Sequence, residues 1–219
     1  MKNLYNYLIL IGLTAINFDI QAQEEFTFHV GPAIPTADFA DDDIYSSNSG
    51  LAGIGLTVGL KYLKPLNDNG LGLFGGVDLI YNSWNKDAKD MWDDDDDVQT
   101  FPKYFTIPLS VGLQYDYDID TETAVYGRFG LAFSLSKQTN LKFDGGDKYT
   151  FDLASGFGFL IGGGVKLNEK IELDLTYWAL GEHDFDIEYV YDDGDKDDEG
   201  KLEVNMTLIT LTAAFYLNQ

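Results

Sequence analysis

The chain has no cysteine among its 219 residues, so neither a disulfide framework nor a thiolate metal site can contribute to it. Cations are scarce. With 14 Lys and Arg against 37 Asp and Glu, the formal charge is −23, which argues against nucleic acid, because phosphate needs clustered Lys and Arg. Histidine occurs twice, at His29 and His183. Long apolar runs are also missing. Leu8 to Ile16 is too short to cross roughly 30 Å of hydrocarbon as a helix. Preceded by Lys2 and followed by Ile20-Gln21-Ala22, it reads instead as the core of an export signal cleaved before Gln23. The expected organisation is a signal peptide over 1–22 and one domain over 23–219. If that domain enters a membrane, it does so as strands.

What is abundant is alternation. From Tyr104 to Ile119 the odd positions are Phe105, Ile107, Leu109, Val111, Leu113, Tyr115, Tyr117 and Ile119. The even positions after Tyr104 are Thr106, Pro108, Ser110, Gly112, Gln114, Asp116 and Asp118. Successive side chains of a strand point to opposite faces, so period two over this length predicts a strand with one apolar face. Eight such segments follow the signal: 25–36, 51–66, 71–85, 104–119, 124–141, 157–168, 171–190 and 201–217.

The connections sort by length. Asn67–Gly70, Asp120–Thr123 and Asn168–Lys170 are tight and rich in Asn, Asp and Gly, as hairpin turns require. Those near 37–50, 86–103, 142–156 and 191–200 read as long and polar. A β-sandwich has no reason to sort its loops by parity, whereas membrane barrels place short turns at one end and long loops at the other. The second face of the segments is mostly Gly, Ser and Thr with few charges, too bare for a water-facing exterior. Small residues suit the crowded inside of an eight-stranded barrel. The pattern predicts an all-β, eight-stranded antiparallel up-and-down transmembrane barrel, apolar outward and polar inward. Two positions resist: Pro108 sits mid-strand, where a bulge or kink is expected, and the parity of the last segment slips between Leu208 and Ile209. Tyr62, Tyr81, Tyr115 and Tyr117 fall near strand ends, as interfacial girdles would, while Trp178 points inward in this register.

The signal, the eight strands, the loop parity and a last strand running through Phe215 resemble the small bacterial outer-membrane β-barrel family, of the OmpA transmembrane-domain and OmpX type. That resemblance implies the outer membrane as location and outer-membrane lipid and lipopolysaccharide as surroundings. It carries no catalytic motif. Members act as anchors, adhesins, immune-evasion surfaces or narrow pores, so the fold selects no activity.

The candidate chemistry is therefore read from the residues. Gly70-Leu71-Gly72-Leu73-Phe74-Gly75 matches G-x-G-x-x-G but opens a strand rather than a helix, so nothing holds a pyrophosphate. A lipid-modifying barrel enzyme would want a Ser beside His183, and none is placed there; His29 lies inward near the other end. Acidic runs at Asp41–Asp43, Asp93–Asp97 and Asp192–Glu199 fall in the long loops. Asp193, Asp195 and Asp197 begin like a calcium loop, yet Asp198 stands where Gly is needed and the distant bidentate Glu is missing. These loops offer weak divalent-cation (Ca2+) binding at most, and no cofactor is expected. Inward charges form the remaining constellation: Lys61, Asp78, Asp116, Arg128, Lys166, Glu172 and Asp174, with Gln114 among them. Hairpin pairing puts Asp116 and Arg128 at nearly one height, so Arg128 is expected to bond Asp116, with Asp78 or Asp174 as further partners, closing the lumen. The reading that results is a monomeric, non-enzymatic scaffold displaying acidic loops to an extracellular partner. A narrow ion or small-solute channel is the alternative, and an outer-leaflet lipid-modifying enzyme stands third.

Overall fold

The structure, a computed structural model, describes residues 24–43, 46–93, 98–168 and 170–217. The export signal read over 1–22 and the acidic residues 94–97 lie outside the described residues. Eleven strands occur among the described residues: β1 (Glu25–Thr36), β2 (Gly55–Pro65), β3 (Leu71–Ser83), β4 (Val98–Thr100), β5 (Lys103–Asp118), β6 (Thr123–Gln138), β7 (Leu141–Phe143), β8 (Lys148–Phe151), β9 (Ala154–Leu167), β10 (Ile171–Val190) and β11 (Lys196–Tyr216). A helix, α1, spans Lys86–Asp93.

Eight of these strands form a ring in the order β1-β2-β3-β5-β6-β9-β10-β11. It closes where β11 pairs antiparallel with β1, from Thr27↔Tyr216 to Thr36↔Thr207. Every neighbouring pair is antiparallel, and closure leaves the ring without an edge. The faces are inverted relative to a water-soluble domain. Leu109, Val111 and Leu113 on β5 stand 49–53 % exposed, while Thr106, Gln114, Ser134 and Thr176 are at most 2 % exposed inside. Polar residues at the centre and apolar ones outside make sense only if lipid is the outer solvent.

Pro108 produces no bulge. It pairs with Ser134 in unbroken register, and the missing N–H shows instead as a gap in the β3–β5 ladder, between Val77↔Leu109 and Ile80↔Thr106. The parity slip expected at Leu208–Ile209 also lies elsewhere. The register of β11 against β1 runs evenly through both residues, and the extra residue belongs to β10, where Ala179↔Thr207 is followed by Gly181↔Met206. Leu180 is the bulged residue. Gly181 beside it has φ +81°, and a Cβ there would stand 2.4 Å from the Phe157 carbonyl oxygen, so only glycine fits. The consequence reaches along the strand. Before the bulge the inward residues are Glu172, Asp174, Thr176 and Trp178; beyond it they are His183 and Phe185.

Three connections read as long loops hold structure of their own. β10 and β11 run on past the ring as a hairpin closed by the tight turn Tyr191–Asp195, in place of a loop over 191–200. β8 adds to β10, β7 to β8 and β4 to β7, so the segments 86–103 and 142–156 contribute strands to a small sheet standing on the ring. Rings of Phe143, Tyr149, Tyr189 and Tyr191 follow one another across it at 6.0, 4.9 and 4.8 Å. The first two of these contacts cross strands, and such aromatic pairing overrides the polar composition that marks these segments as loops.

Candidate functional site

The interior is built in layers, beginning at the end that carries the short turns. A mouth of about 590 Å³ opens there, lined by Glu25, Asp116, Asp118, Glu122, Lys166 and Lys170 among others. Lys166 of β9 crosses it, with Nζ 2.9 Å from Glu25 and 3.0 Å from Asp116. Gln114 Nε2 donates to Asp116 at 2.8 Å.

The next layer is the most densely charged. Lys61 Nζ lies 2.5 Å from Glu172 Oε1, and the pair is at most 4 % exposed. The Tyr126 hydroxyl stands between Glu172 and Asp174, 2.5 and 2.6 Å away. Arg128 Nη2 donates to Asp174 Oδ1 at 2.8 Å and to Thr176 Oγ1 at 2.7 Å, and Thr176 donates in turn to Asp174. The guanidinium also stacks over Phe74, 5.7 Å from the ring centre, as Lys61 does over Tyr126 at 5.0 Å. Buried charges survive only when paired, and this layer pairs its ions through several strands at once, although Arg128 Nε is left without an acceptor.

Above it His29 Nε2 approaches Asp78 Oδ1 at 2.5 Å, and Trp178 donates to Thr210 at 3.1 Å. The loop end is closed by apolar side chains. Phe39 and Phe185 pack edge-on against Tyr104 at 5.1 and 6.0 Å, with Leu180, Val204 and Met206 fully buried around them.

The inward residues of the sequence reading thus meet, but not in the combination expected. Asp116 does not reach Arg128. In the β5–β6 register Arg128 faces Gln114, and Asp116 faces Tyr126. Asp116 is taken by Lys166, while Arg128 does bond Asp174 on β10, one of the two further partners expected of it. Asp78 pairs with His29. Height along a hairpin selects neighbours on adjacent strands, whereas long side chains in a narrow lumen reach across it.

The sequence reading also missed Ser134. Its Oγ lies 2.8 Å from His183 Nε2, while His183 Nδ1 lies 3.1 Å from the Gly181 carbonyl oxygen. A carbonyl only accepts, so the proton sits on Nδ1 and Nε2 accepts from the serine hydroxyl. Gly156 makes room, because a Cβ there would be 2.3 Å from His183 Cε1. A base over a hydroxyl is the start of a nucleophilic site. Here the orienting partner is a backbone carbonyl rather than a carboxylate, and both side chains are 0 % exposed. The pair bonds β6 to β10 inside the lumen. The signal for it in the sequence was Gly181, which breaks the parity of its strand.

On the outer sheet, Asp193 accepts from the Asp195 amide at 3.0 Å, and Asp197 accepts from the Tyr191 hydroxyl at 2.7 Å. Among the described residues no three or more metal-ligating side chains cluster. Gly70–Gly75 leads into β3 and no helix.

Two solved structures share this architecture. A major outer membrane protein from Thermus thermophilus aligns with a TM-score of 0.53 at 14% identity, over 90% of this chain and 100% of that one. The outer membrane protein OprG from Pseudomonas aeruginosa aligns with 0.51 at 14% identity, over 92% and 100%. At such identity the likeness is one of fold. No curated protein matches the chain. The family model for the outer membrane protein beta-barrel domain matches residues 8–215, nearly the whole length. With a closed ring, a lipid-compatible exterior and this match, the chain belongs to the outer membrane protein beta-barrel domain family and resides in the bacterial outer membrane.

Proposed function

We propose that the protein is a monomeric, non-enzymatic membrane anchor that presents its acidic loop end, above all the β10–β11 hairpin, to an extracellular partner. The observation that carries this reading is the lumen. Bonded charges cross it at the levels of Lys61–Glu172 and Arg128–Asp174, and Phe39, Tyr104 and Phe185 close it above. A wall packed in this way supports a scaffold better than a conduit. The hairpin bears Asp193, Asp195, Asp197, Asp198 and Glu199, all exposed, at and beside its tip.

The test has two arms. In planar bilayers the protein should show no steady single-channel conductance. Bacteria expressing it should adhere to polylysine-coated surfaces, and replacing 191–200 by a short neutral turn should abolish that gain while leaving insertion intact. Steady conductance together with unchanged adherence would overturn the reading. The alternative, a narrow channel, draws its support from the mouth of about 590 Å³ at the short-turn end, which would serve as a vestibule.

A further inference from the structure

The small sheet that stands on the ring has two unlike faces. Tyr189 on β10 is in register with Tyr149 on β8 and with Asp197 on β11, so the three share one side. Phe143 and Tyr191 extend that side, each ring meeting the next edge-on. One residue along, Val190 is in register with Lys148 and Lys196, which therefore lie on the other side. Lys142 is in register with Lys148, and Lys201 with Asp186, on that same second side. There Lys196 is bonded to Glu188 at 2.6 Å and Lys201 to Asp186 at 3.4 Å. Strands β7, β8, β10 and β11 carry no other Lys or Arg. Cations are sorted to one face and aromatic rings to the other.

The aromatic side also holds its own carboxylates. The Tyr189 hydroxyl donates to Asp147 at 2.8 Å, and the Tyr191 hydroxyl to Asp197 at 2.7 Å. Asp147 is fixed further by the Asp192 amide, 2.9 Å from its Oδ1. Each of the two rings thus has a carboxylate at its edge. A carboxylate offers about four acceptor sites, so both retain capacity for a donor arriving over the ring. Tyr149 and Tyr189 are half-buried and Tyr191 is 40 % exposed, so the strip emerges toward the hairpin tip. An acidic loop by itself attracts any cation. A ring face beside a carboxylate distinguishes between cations. Guanidinium is planar and weakly hydrated, and it stacks on a ring while its fork donates to a carboxylate; ammonium is a compact, strongly hydrated point charge.

We infer that the aromatic side of this sheet receives arginine side chains of an extracellular polypeptide, with guanidinium groups over Tyr191 and Tyr189 that donate to Asp197 and Asp147. The inference rests on the proposed role of the acidic hairpin and adds the chemistry of its partner. Charge complementarity supplies the attraction, and the rings supply the preference for arginine over lysine. The absence of cations from this face leaves its carboxylates to the partner.

The test compares two peptides of equal charge. Full-length protein in phosphatidylcholine nanodiscs is titrated against fluorescein-labelled hexa-arginine and hexalysine at one ionic strength, and binding is read from fluorescence anisotropy. Hexa-arginine should bind the more tightly. Tyr189→Leu and Tyr191→Leu keep apolar bulk but remove the ring, and each should reduce that preference by about two- to fivefold. Tyr191→Phe keeps the ring and should keep the preference. Unchanged heat-modifiable mobility in gels shows that the variants fold. Equal affinity for the two peptides would overturn the inference and leave the hairpin's acidic role standing. So would a preference for arginine that survives the double leucine variant. Binding of neither peptide would overturn both the inference and the reading beneath it.

Discussion

Lys61 on β2 and Glu172 on β10 meet at 2.5 Å although 111 residues separate them and β1 and β11 stand between their strands. Their bond spans the lumen. Replacing one partner leaves the other buried and unpaired, which costs about 3–5 kcal/mol, whereas an apolar pair of similar volume is often neutral. Lys61→Met and Glu172→Met should each lower the urea midpoint of the folded barrel strongly. The double variant Lys61→Met/Glu172→Met should recover much of the loss. Additive losses in this cycle would show that the two ions are satisfied independently.

A substitution pair tests which face meets lipid. Leu109 is 49 % exposed on the outer face of β5, and Ser110 is its inward neighbour. A cation at mid-membrane on the outer face costs about 2–4 kcal/mol, so Leu109→Arg should fold into bilayers poorly. Ser110→Arg should fold better. The comparison is read from the folded fraction in gels after refolding into vesicles, and the opposite ranking would invert the faces.

Orientation follows from the connections. Asp195 lies in the tip of the β10–β11 hairpin, and Asn69 in the tight β2–β3 turn. Short turns of such barrels face the periplasm. A cysteine at Asp195 should react with a membrane-impermeant maleimide on intact cells, and one at Asn69 only after the outer membrane is opened. Labelling of Asn69→Cys from outside would reverse the topology.

The bulge at Leu180 makes the fourth prediction. Gly181→Ala puts a Cβ at φ +81° and within 2.4 Å of the Phe157 oxygen, a strain of about 1–3 kcal/mol before any clash is counted. Relief requires the strand to lose its bulge, which would turn His183 away from Ser134. The unfolding midpoint should fall, and the imidazole ¹⁵N signals of His183 should change. Ser134→Ala should shift the same signals with a smaller loss of stability. If Gly181→Ala leaves the His183 signals untouched, the bulge does not aim that side chain.

Alternation alone placed much of this molecule. A side-chain period of two is local, so β5 could be read from Tyr104 to Asp118 without knowing its neighbours, and the same holds for β1, β3 and the lower half of β10. Turn residues such as Asn67 and Gly70 are local signals too, and they paired consecutive strands correctly. What a single strand cannot state is who lies across the lumen. Asp116 and Arg128 are close along their hairpin, yet each bonds a residue on another strand, Lys166 and Asp174. The choice depends on strand stagger around the closed ring and on side-chain length, both of which exist only after closure. The bulge at Leu180 is of the same kind. Its glycine was visible in the sequence, but the pairing of β10 with β11 decides where the extra residue goes, and that decision turns His183 inward onto Ser134. The outer sheet follows suit, because segments rich in Asp and Gly become strands β7 and β8 only when β10 rises beside them to supply the missing partners.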